Sequence, residues 1–153
     1  MESGSTPRKV PLRMSEPEQL ARKRRFDRPE EAALSEWPPG WQVLASEVRE
    51  SYAFVLVADE YRDFVELSYC QSERGAWIEI SSGSAGGCTS PWFSNRVSPG
   101  IGVFSYVGPP SVHSIEVRLP DGIHSVAATD GVALVVVEDV SAEEWWPELV
   151  SSS

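Results

Sequence analysis

The sequence predicts a mainly β fold, an antiparallel meander or a small β-sandwich with a short N-terminal helical arm, and three observations carry that expectation. Residues 52–58 form an unbroken apolar run, as in a strand covered on both faces. Ile115, Val117 and Leu119 alternate with Glu116 and Arg118, which gives a strand one buried and one wet face. Two Asp-Gly pairs, Asp121-Gly122 and Asp130-Gly131, interrupt apolar segments, and this dipeptide favours the positive φ angles of tight hairpins.

Taken in order, residues 1–14 mix Ser, Gly, Thr and Pro with basic residues and show no apolar period, the composition of a disordered tail. A helix is expected over residues 15–26, with Ser15 as N-cap, Pro17 in the first turn and the basic run at its C-terminal end. A second helical turn over residues 29–36 is stopped by Pro38-Pro39-Gly40. The chain thus divides into a basic arm, residues 1–36, and an acidic β domain, residues 37–150. Strands are expected at 52–58, 63–69 and 75–82 as a meander, with residues 41–50 ambiguous. Residues 83–100, rich in Gly, Ser and Pro, read as one long loop. A strand is expected at 101–107, the segments 112–119, 123–129 and 132–138 then form a three-stranded up-and-down sheet, and Trp145 and Trp146 cap an open end of the core. About seven strands result.

Two stretches of this last part, Val112-His-Ser-Ile-Glu-Val-Arg-Leu-Pro-Asp-Gly122 and Val126-Ala-Ala-Thr-Asp-Gly-Val132, are followed by Trp146-Pro147. Over residues 112–147 the pattern resembles the C-terminal β-module of uncharacterised bacterial envelope and anti-sigma-factor-associated proteins. The resemblance implies a β meander and brings no catalytic residue with it.

Charge narrows the function classes. The net charge is -10, yet residues 1–28 hold eight basic residues against four acidic ones, and the remainder holds five against nineteen. An acidic body is a poor nucleic-acid binder, because phosphate recognition needs a surplus of Lys and Arg. It suits a protein partner with a basic surface, while the arm suits an acidic one. The sequence shows no run of about 20 apolar residues and no apolar run after its start, so neither a membrane span nor a secretory signal is expected, and the expected location is cytoplasmic. Cys70 and Cys88 then read as thiols.

No complete catalytic set emerges. Cys70, Cys88, His113 and His124 lack the spacing of a metal chelate, so neither a metal nor a cofactor is expected. The Ser- and Gly-rich residues 81–87 lack the Lys and following helix of a phosphate loop. Asp59-Glu60 and Glu143-Glu144 read as solvated surface. Cys88, after Gly86-Gly87, could act as a nucleophile with His113 or His124 as base, which makes a small Cys-dependent hydrolase or transferase the alternative. A structural subunit of a larger assembly is a third reading. The leading expectation is a non-enzymatic protein-protein binding module, a regulatory adaptor or an immunity-type inhibitor. Its candidate contact residues are Trp92 and Phe93, aromatic neighbours in a polar stretch, and Arg22, Arg24 and Arg25 of the basic run.

Overall fold

The computed structural model describes residues 23–85, 90–95 and 100–153. The expected tail, most of the expected first helix, Arg22 and Cys88 therefore lie outside the described residues. Within them are one helix, α1 (Pro29–Leu34), and ten strands: β1 (Gln42–Val48), β2 (Tyr52–Ala58), β3 (Val65–Glu73), β4 (Ala76–Ser84), β5 (Ser90–Ser94), β6 (Ile101–Val107), β7 (Ser114–Leu119), β8 (Gly122–Ala127), β9 (Val132–Glu138) and β10 (Glu148–Ser152). All sheet pairings are antiparallel, and the fold class is as the sequence predicts.

The strands form three sheets, ordered β1-β2-β3-β4, β5-β6-β9 and β10-β7-β8. Side-chain alternation explains how they stack. Phe54, Leu56 and Ala58 of β2 and Val65, Leu67 and Tyr69 of β3 meet Ile101, Val103 and Val107 of β6 in one core. The opposite face of β6, Phe104 and Tyr106, meets Ile115, Val117 and Leu119 of β7 in a second. The central sheet is thus covered on both sides, which is why every residue of β6 is buried. β2 is buried throughout for the same reason: Val55 and Val57 turn away from the first core and pack beneath Ala33 and its neighbours. Cys70 and Ala53 pack beneath Ala32 of α1. The hydroxyl of Tyr52 donates to Glu138, joining the first sheet to β9.

Several expectations are corrected. Phe26 is not helical; its backbone exchanges two hydrogen bonds with Trp77, at 2.9 and 2.7 Å. Residues 83–100 are not one loop, since β5 lies among them and pairs with β6. The ambiguous residues 41–50 contain β1.

The expected three-stranded sheet over 112–138 also splits. β7 and β8 pair, but β9 leaves and pairs with β6 from Ile101↔Glu138 to Val107↔Val132. The reason is composition: β9 is continuously apolar and suits a sheet covered on both faces, whereas β7 alternates and suits an outer sheet. Pairing after the second turn ends at Thr129↔Val132. Asp130 and Gly131 do adopt the positive φ values expected there, 51° and 77°. In the first turn the register Leu119↔Gly122 makes Pro120 and Asp121 the turn residues, and a proline cannot take positive φ. Of the two terminal tryptophans, Trp145 is buried over Gly102, while Trp146 is 81% exposed and caps nothing.

Candidate functional site

The segment Asp59-Glu-Tyr-Arg-Asp-Phe64 joins β2 to β3, whose register closes at Ala58↔Val65. Its geometry follows from one short acidic side chain. Asp59 N–H donates to the Phe64 carbonyl at 3.1 Å, and Phe64 N–H donates back to Asp59 Oδ1 at 3.1 Å. Arg62 N–H donates to the Asp59 carbonyl at 3.0 Å, and Arg62 takes a φ of 59°. Aspartate favours such turns because its carboxylate reaches nearby backbone N–H groups. A guanidinium anchor completes the fixation, as Arg62 Nη1 donates to the Asp130 carbonyl at 2.9 Å.

A loop held this way loses little further freedom on binding. What it presents is two large aromatics among carboxylates: Tyr61 is 74% exposed and Phe64 68%, flanked by the exposed Glu60 and Asp63. The register Gln42↔Ala58 brings the turn before β1 alongside. There the Trp37 and Trp41 rings stack with centroids 4.1 Å apart and planes 8° from parallel. Glu60 Oε1 lies 3.9 Å from where a Cβ on Gly40 would stand.

The residues singled out in the sequence lie elsewhere. Trp92 of β5 packs edge-on against Phe54 at 5.4 Å and Tyr69 at 6.1 Å. Phe93, on the opposite face of the strand, packs against the second core, so closely that a Cβ on Gly100 would stand 2.6 Å from its ring. Both aromatics are half-buried. Arg24 lies over the Phe26 ring at 4.9 Å, and Arg25 Nη1 donates to Glu73 at 2.9 Å. Arg24 and Arg25 are thereby engaged on the chain itself.

His113 is exposed just before β7, and His124 sits in β8 with Nε2 2.7 Å from Asp121 Oδ1. His124 holds the Asp121 carboxyl below its ordinary range. Along the hairpin the two histidines are four residue steps apart, roughly 13 Å, so they do not form one site. Cys70 is buried, and burial pushes its thiol up to about 12, the opposite of a reactive thiolate. Among the described residues no group of three His, Cys, Asp or Glu side chains could hold a metal ion.

Two recesses of about 300 Å³ each open on the surface. One is lined by Lys23, Arg24, Phe26, Ser35, Glu36 and Glu79. Glu79 accepts from Ser68 Oγ at 2.6 Å, and burial raises its carboxyl above the ordinary range. The other recess lies between β4 and β5, beside Trp92 and the buried, unpartnered hydroxyl of Ser81.

Tyr61 and Phe64 were not singled out in the sequence. A signal was present, namely two aromatics within a six-residue segment containing three acids, too polar to be core and too short to fold back. No helix among the described residues is long and apolar enough to cross a membrane. Compared with known proteins, the chain matches no family model, no curated protein and no solved structure.

Proposed function

We propose that this chain is a non-enzymatic protein-protein binding module, an adaptor or inhibitor, that engages a partner with a basic surface through the 59–64 loop. The supporting observation is the exposure of Tyr61 and Phe64 on a loop already fixed by Asp59 and Arg62. Exposed aromatics on a pre-ordered loop are the usual anchors of such interfaces. The surrounding carboxylates, on a chain of net charge -10, favour encounter with a positively charged surface. This reading keeps the expected class of partner and moves the contact from Trp92 and Phe93 to Tyr61 and Phe64.

The test is comparative affinity capture with the wild-type chain and the double variant Tyr61→Ala/Phe64→Ala. A basic protein retained by the wild type should be lost to the variant, and its affinity, measured by calorimetry, should fall by about 2 kcal/mol or more. Equal affinity for a folded variant rejects the loop as the contact.

A further inference from the structure

An outer strand exposes unpaired backbone N–H and C=O groups, and folded proteins cover, kink or charge such edges. The three sheets have six outer strands, and five are managed. β1 and β9 pack beside each other. Phe26 bonds the backbone of β4 at Trp77. β5 carries Pro91, which has no N–H to offer. β10 is broken by a bulge between Leu149 and Ser151 and carries Glu148, paired with Arg118 at 3.2 Å.

β8 is the exception. Its sequence, Gly-Ile-His-Ser-Val-Ala, contains no Lys, Arg, Asp, Glu or Pro. Among the described residues its one strand partner is β7, and every residue but Val126 is exposed, Ile123 at 52%. Every second residue of such a strand turns its N–H and C=O outward, here over roughly 20 Å. Carboxylates mark both ends, Asp121 in the turn before β8 and Asp130 in the turn after it. The Asp130 carbonyl, three residues beyond the end of β8, is the group that Arg62 holds, which ties the turn after the strand to the 59–64 loop.

We infer that an extended segment of the basic partner adds to β8 as a fourth strand of the β10-β7-β8 sheet, a deepening that rests on the binding reading above. Backbone pairing supplies affinity and the flanking side chains supply selection. The edge, whose one titratable side chain, His124, is turned to Asp121 Oδ1 at 2.7 Å, selects an uncharged middle, and the carboxylates of Asp121 and Asp130 favour basic residues at both ends of the segment. A second copy of this chain fits less well. Antiparallel self-pairing would set the Asp121 end of one copy against the Asp130 end of the other, between two bodies each of net charge -10.

The probe is a synthetic nonapeptide with alternating threonine and valine in its middle and arginine and lysine at both ends. Its control carries the same side chains with alternate backbone amides N-methylated. The full chain is titrated with each while amide hydrogen exchange is followed by NMR. The unmodified peptide should slow exchange of outward-facing amides in β8 by about tenfold or more, and the methylated one should not. Protection elsewhere than β8, equal protection by the methylated peptide, or concentration-dependent protection of β8 without peptide would each overturn the inference, the last by making a second copy the occupant. The same titration on Tyr61→Ala/Phe64→Ala separates the two readings. β8 protection in that variant keeps strand addition even where its unchanged partner affinity rejects the loop.

Discussion

Two stretches of this chain show the same pattern in sequence and opposite fates in space. Residues 59–64 and strand β5 each place two large aromatics within polar surroundings. Tyr61 and Phe64 stand in solvent, whereas Trp92 and Phe93 each pack against a core. The difference is pairing. β5 joins β6 in full register, so strand alternation sends one aromatic to each covered face of the central sheet. The 59–64 loop closes on itself through Asp59, and among the described residues nothing covers most of either aromatic. A polar setting therefore does not mark an aromatic as exposed; what lies on either side of its backbone does.

The contrast breaks most visibly under substitution. Trp92→Ala should lower stability by about 3 kcal/mol, because it removes the ring that Phe54 and Tyr69 pack against. A denaturant midpoint measures this, and a change below about 1 kcal/mol would return Trp92 to the list of surface anchors. Tyr61→Ala/Phe64→Ala should instead keep stability within about 0.5 kcal/mol per site while affinity is lost, since neither ring is covered.

The support behind the loop gives a smaller, graded effect. Gly131 has a φ of 77°, and an added Cβ would stand 2.2 Å from the Pro109 carbonyl oxygen. Gly131→Val should cost about 2 kcal/mol and disturb the Asp130 carbonyl that anchors Arg62. Gly122 has a φ of 132° but open space around it, so Gly122→Val should cost about 1 kcal/mol. Thermal melts of the two variants, compared directly, check that order.

The smallest effect concerns charge. The loop carboxylates Glu60 and Asp63 are solvated, whereas burial holds Glu79 above the ordinary carboxylate range. The folded chain then keeps a proton that the unfolded chain has released. The contribution of Glu79 to stability is accordingly fully present below the ordinary carboxylate value and is lost as pH rises through the raised folded one. Glu79→Gln should flatten that decline in a series of melts across pH. Part of it should persist through Glu66, which burial raises as well.

The sequence by itself determined the local grammar of this protein. An unbroken apolar run marked β2, the Asp130-Gly131 turn marked the start of β9, alternation marked β7, and Pro38-Pro39-Gly40 marked the end of the helical segment. Those signals depend only on neighbours along the chain, through strand period and backbone stereochemistry. They also established the acidic body, and with it the class of partner proposed. Tertiary structure decided which strands pair and which faces are covered. It carried β9 away from β8 to fill the central sheet, pressed Trp92 and Phe93 onto the cores, pinned Phe26 to Trp77, and left Tyr61, Phe64 and the β8 edge in solvent. The physical reason is that burial is a property of pairs of surfaces. A strand's own residues state which faces want cover, but only packing against distant segments decides which faces receive it.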